Sequence, residues 1–175
     1  MRSLCAILSI IAGLSCLGTA AFAQLVPELD LKAAYIYNFA MFTEWPAEAM
    51  PDGSPMTVCL RNDNALLVAV NALTTKTIKG RRLAVRSWQS PDDLTGCHIA
   101  VFDARDRDRW NAVKGRFGDA SVLTISDDSD AAPADFIITL LLDNGRLAFS
   151  VNNTAARRAR LLMSAKLLRL AREVK

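Results

Sequence analysis

Short apolar runs of strand length recur along this chain, and that recurrence limits the fold more than any other feature. Residues 56–61 (MTVCLR), 81–88 (RRLAVRSW), 97–103 (CHIAVFD), 120–127 (ASVLTISD) and 136–143 (FIITLLLD) are all rich in strand-forming residues. HIAVF and VLTI show no polar alternation, which predicts strands buried on both faces. Helical spacing appears between the runs. Leu66, Leu67, Val70 and Leu73 form one stripe, with Asn62 to Asn64 as caps, and Trp110, Val113 and Phe117 form another. Asn144–Gly145 predicts a hairpin into a sixth strand, 146–151. The expected fold is therefore α/β: a three-layer sandwich around a mostly parallel sheet of about five to six strands. A C-terminal hairpin strand and a long C-terminal helix from residue 152 complete it.

The first segment stands outside that pattern. Arg2, an apolar run and Ala21-Phe22-Ala23 read as a signal peptide, residues 1–23, cleaved on export. Its removal leaves 175 − 23 = 152 residues, 24–175, enough for one domain with a real core. Export predicts a periplasmic or extracellular protein. The mature charge, near +2 from 20 basic and 18 acidic residues once Arg2 leaves, favours no polyanion and predicts no nucleic-acid partner. Cys5 and Cys16 leave with the signal peptide. Cys59 and Cys97 remain, and an oxidising compartment favours a disulfide over two buried thiols.

Little in the chain predicts catalysis. His98 is the one histidine and sits inside a strand, where a hydrogen-bonded packing role is expected. A zinc site needs three or four ligands, so neither a metal nor a cofactor is expected. Asp127, Asp128 and Asp130 lack the frame of a calcium loop and read as a solvated turn. No nucleophile elbow, dinucleotide fingerprint or P-loop occurs, so no catalytic residue is assigned.

Two segments point toward binding instead. AAYIYNFAMFTEWP, within a predicted helix over 29–43 that starts near Asp30 and ends before Trp45-Pro46, has almost no polar side. Such a helix needs neighbours on more than one side. Tyr35, Phe39 and Phe42 are expected to face the core, with Tyr37, Met41 and Trp45 available to a partner or second copy. On the C-terminal helix, Ala159, Met163, Leu167, Leu170 and Ala171 form the expected core face. Arg157, Arg158 and Arg169 lie opposite, with Leu161, Leu162 and Leu168 interleaved. This mixed surface suits an acidic partner, or is simply a solvated basic face. Arg160 is the candidate for a small acidic ligand.

Several segments, in order, resemble the YfiR family of small periplasmic regulators. They are LKAAYIYNFAMFTEWP, VCLRNDN, GCHIAVF, SVLTISD and GRLAFSVNNTAARRARLLMSAKLLRLA. One departure is Pro133-Ala134-Asp135, where many members have Gly-Gly. The resemblance implies an α/β fold without an active site. It also implies inhibition of an inner-membrane diguanylate cyclase through its periplasmic sensor domain, which lowers cyclic-di-GMP and biofilm formation. Redox stress or an outer-membrane lipoprotein would relieve that inhibition. The family pattern implies a Cys59–Cys97 disulfide and homodimers. A periplasmic small-molecule-binding module is the alternative reading.

Overall fold

The computed structural model describes residues 27–117, 120–131 and 135–175. The signal-peptide reading of residues 1–23 and most of the Pro133-Ala134-Asp135 departure lie outside them.

The chain opens with helix α1 (Glu28–Met41) and the short strand β1 (Thr43–Glu44). Next come β2 (Met56–Arg61), α2 (Leu67–Asn71), β3 (Thr77–Ile78), β4 (Arg81–Trp88), β5 (Ile99–Asp103) and α3 (Arg107–Val113). Strands β6 (Leu123–Asp127), β7 (Ile138–Asp143) and β8 (Arg146–Val151) follow. The chain then closes with α4 (Asn153–Arg158), β9 (Leu162–Met163), α5 (Ala165–Leu170) and β10 (Glu173–Val174).

One sheet of eight strands has the order β10-β8-β7-β6-β5-β2-β4-β3. Its centre, β4-β2-β5-β6-β7, is parallel throughout. The β7–β8 hairpin is antiparallel and turns on Asn144 and Gly145, both at positive φ (50° and 74°), the geometry of a type I′ turn. The sheet is larger than the predicted five to six strands because two-residue edges, β3 and β10, add on. Pairs that short carry no sequence period.

Alternation along each strand sorts the core into two layers. Val58 and Leu60, Ile99 and Val101, and Leu123 and Ile125 face one side and pack with α1, α2 and α4. Cys59, Ala100 and Phe102 face the other, with Trp88, Trp110 and Phe136. This is the predicted three-layer sandwich. The parallel strand order reverses direction at β2 and β5, a topological switch point.

The predicted long C-terminal helix is not present. Its wheel assigned Leu170 to the core, yet Leu170 is 65% exposed. Helix α4 stops after Arg158 in a Schellman motif: Leu161 N–H bonds to Ala156 O and Arg160 N–H to Arg157 O, with Arg160 at φ 57°. An arginine in the left-handed region is strained, and no glycine advertises the stop in the sequence. The motif turns Leu161 inward against Ala156, both fully buried. Beyond it, Leu162 and Met163 pair with β1, and the Ser164 hydroxyl caps α5 by accepting from Leu167 N–H at 3.2 Å.

Helix α1 is apolar nearly all round because its own chain flanks it. Ala33, Ile36, Phe39 and Ala40 form the buried stripe, not the predicted Tyr35–Phe39–Phe42 set alone. On one flank Tyr35 and Phe39 meet Phe149 of β8 edge-on and tilted, with centroids 6.0 and 4.9 Å away. On the other, Tyr37 donates its hydroxyl to Thr77 O at 2.8 Å, under the Lys76 ammonium.

Candidate functional site

Adjacent parallel strands bring the two cysteines together. Cys59 on β2 is in register with Ala100 on β5, and Cys97 lies just before β5. Cys59 and Cys97 form a disulfide, with Cα atoms 5.8 Å apart. The bridge is buried, at 0% and 4% exposure, among Trp88, Leu94, Ala100 and Phe102. Arg86 lies over it, with Nη2 3.2 Å from the Cys97 sulfur, and is held there by the Asp93 and Thr95 carbonyls. The bridge therefore pins the switch point from the α3 side, and a reductant reaches it only when this layer opens.

His98 ties the same strands from the other direction. Its Nδ1 accepts from Thr57 N–H at 3.0 Å, so Nε2 carries the proton and donates to Ala49 O at 3.0 Å. The ring is thus a neutral packing residue, as the sequence suggested. Burial first, then the Arg81 and Arg86 charges, hold its pKa below 6.5, against the Ala49 carbonyl, which favours the charged ring. A cation would lose the Thr57 bond. The unfolded chain takes up this proton as the pH falls past about 6.5 while the folded ring stays neutral. The His98 contribution is complete above that pH and is lost as the pH falls toward the folded pKa. Urea melts between about pH 7 and pH 5 are expected to show this decline, and His98→Gln to flatten it. An equal slope in the variant would assign the decline to other groups.

At the carboxyl ends of the parallel strands, the switch-point crevice is filled by charge pairs. The Arg61 guanidinium lies 2.7 Å from Asp63 and 3.2 Å from fully buried Asp106. Burial raises the Asp106 pKa, chiefly against its backbone hydrogen bond from Asp103 N–H. Of the three acids in the expected solvated turn, only Asp130 is exposed; Asp127 is half-buried and Asp128 is buried. Lys32 of α1 binds Asp127 at 2.7 Å, and Arg107 forks onto Asp128 at 2.5 and 2.8 Å. That fork holds the Asp128 carboxyl below its usual range. Neither partner is near in sequence, which is why spacing missed them. Among the described residues no group of three or more His, Cys, Asp or Glu could hold a metal ion.

The predicted docking residues separate into two groups. Leu161 is core and leaves the surface, for the Schellman geometry given above. Tyr37, Met41, Trp45 and Leu168 are half-buried and pack on the main core. Arg157, Arg158, Leu162 and Arg169 are exposed, Leu162 by 62%. The β1–β9 pairing places Leu162 opposite Glu44, and Lys166 lies over the Phe42 ring at 5.2 Å. The end of α1 and the start of α5 are thereby brought together. Arg160 is engaged by Glu48 at 2.5 Å, an exposed pair that fastens the α4 stop to the segment after Trp45. Among the described residues no helix is long and apolar enough to cross a membrane.

A family model described as YfiR/HmsC-like matches residues 29–172. No curated protein matches the chain.

Proposed function

The chain belongs to the YfiR/HmsC-like family, and from that premise we propose that it is an exported, non-enzymatic regulator of a membrane diguanylate cyclase. It binds the cyclase's periplasmic sensor domain and favours that domain's inactive state, lowering cyclic-di-GMP and biofilm formation. A ligand of this kind shifts the equilibrium only by its differential affinity for the two states. The family match over almost the whole described domain carries the reading. The supporting feature is the exposure of Leu162, Arg157 and Arg169, with Met41, Trp45 and Leu168 half-buried. Apolar anchors rimmed by cations suit an acidic partner surface. In this proposal the regulator is a homodimer, its disulfide keeps the binding face in shape, and an outer-membrane lipoprotein or reductive stress releases the cyclase.

The test is a pair of substitutions among these residues. Leu162→Ser with Arg169→Glu replaces two exposed side chains without setting a second acid opposite Glu44, and is expected to leave melting unchanged. Capture of the cyclase from inner membranes by the tagged mature protein is expected to fall by roughly tenfold or more, and cellular cyclic-di-GMP to rise to the level of a deletion strain. Full capture and full repression by a variant of unchanged stability would move the docking face elsewhere. A deletion strain with unaltered cyclic-di-GMP would overturn the regulator reading itself.

A further inference from the structure

A cavity of about 320 Å³ lies at the amino-terminal ends of β6 and β7, between the tail of α3 and α4. It shares no residue with the disulfide or with the filled switch-point crevice. Trp110 and Phe117, stacked 5.6 Å apart, form one wall. Val122 and Ile137 supply an apolar floor, while Lys114 and Arg158 stand at the rim. The volume lies at the lower end of the range for small-molecule pockets.

The polar groups around this cavity are unequally spent. Lys114 has an acid 3.8 Å away, Asp135, which also lines the cavity. Arg158 is exposed at the rim and makes no ion pair with any described residue. The Trp110 indole N–H is buried, on a residue only 4% exposed, and has no acceptor among the described residues. Arg158 therefore leaves one cation at the rim unpaired among the described residues. With Lys114 offset by Asp135, the rim carries the charge complement of a single anion.

We propose that this cavity is a binding site for a small monocarboxylate with a hydrocarbon body. The carboxylate pairs with Arg158 at the rim, and the apolar body lies between the Trp110–Phe117 wall and the Val122–Ile137 floor. Guanidinium and carboxylate match as a two-pronged pair, which sets the ligand's orientation. The inference stands apart from the regulator reading, and its test contains no cyclase.

Butyrate, hexanoate and octanoate are titrated into the ¹⁵N-labelled mature protein, with octan-1-ol and octylamine as controls of equal body and different head. The Trp110 indole resonance is identified by its loss in Trp110→Phe. At least one carboxylate is expected to shift that resonance saturably, with octan-1-ol and octylamine weaker by roughly tenfold or more. Arg158→Gln is expected to weaken the carboxylate by a similar factor, and Ala155→Phe, which fills the cavity from α4, to abolish the shift. Thermal melts of both variants confirm that they fold. A saturable shift that is equal for octan-1-ol, or unchanged in Arg158→Gln, would overturn the site, as would no saturable shift with any of the three carboxylates.

Discussion

Replacing Cys59 or Cys97 with serine is expected to lower the unfolding free energy by about 4 kcal/mol. The bridge closes a loop with a sequence separation of 38. In the chain-entropy picture a loop of that size restricts the unfolded chain by about this amount. Spread over a domain of this length, the loss corresponds to a fall of about 10 °C in melting temperature. Burial adds a second consequence. Both sulfurs lie beneath Trp88, Leu94 and the Arg86 guanidinium, so reduction of the native protein has to wait for local opening. Wild type that has been unfolded, reduced and refolded in reductant is expected to melt with the serine variants. Native wild type briefly exposed to the same reductant is expected to melt as before. If the regulator reading holds, the serine variants also repress less at growth temperature, because a smaller folded population binds the cyclase. Equal melting of wild type and both variants would remove the disulfide from any redox role.

The second large effect is expected at the Arg61–Asp106 pair. Both groups are buried, and Asp106 is also tied to Asp103 N–H at 3.0 Å. Arg61→Met leaves the Asp106 carboxylate without its nearest cation, in an environment that already raises its pKa. Breaking one side of such a pair costs about 3 kcal/mol or more, because the remaining charge stays buried. The combined variant Arg61→Met with Asp106→Asn is expected to recover most of that loss, since it buries no orphaned charge and keeps an acceptor for Asp103 N–H. Exposed Asp63 and Arg109, which also face this pair, keep their water. Chemical denaturation of the single and double variants measures the coupling. Additive losses would show that the pair is not an energetic unit.

The parts of the fold that were legible in the sequence are those set by local pattern. The five strand-length runs became β2, β4, β5, β6 and β7: the unbroken apolar ones have no solvent side to accept, and 81–88 alternates as a half-exposed strand does. Asn144–Gly145 read as a turn because both residues tolerate positive φ. Helix α1 ends at Met41, two residues before the expected end at 43, because Thr43 and Glu44 pair with β9. The misreadings share one feature: each depended on a partner distant in sequence. At the C-terminus the residues from 152 onward have helical propensity, and only pairing of Leu162 and Met163 with β1 shows that a continuous helix is impossible. Leu161 appeared interleaved with exposed arginines, yet a left-handed Arg160 turns it into the core. The acidic run at 127–130 looked solvated, because Lys32 and Arg107 are remote along the chain. The rim of the carboxylate cavity, Lys114 and Arg158, likewise comes from two segments that no spacing rule connects.

By itself, then, the sequence determined an α/β sandwich with a mostly parallel sheet, a pair of cysteines suited to bridging and a family. Those follow from periodicity, composition and motif order, which are carried by neighbouring residues. The tertiary structure decided which side chains remain available for binding. It withdrew Leu161, committed Arg160 to Glu48, engaged Tyr37 with Thr77 and left Leu162, Arg157 and Arg169 exposed. Availability depends on what every other segment covers, and that is settled only when β1 meets β9 and α4 stops short.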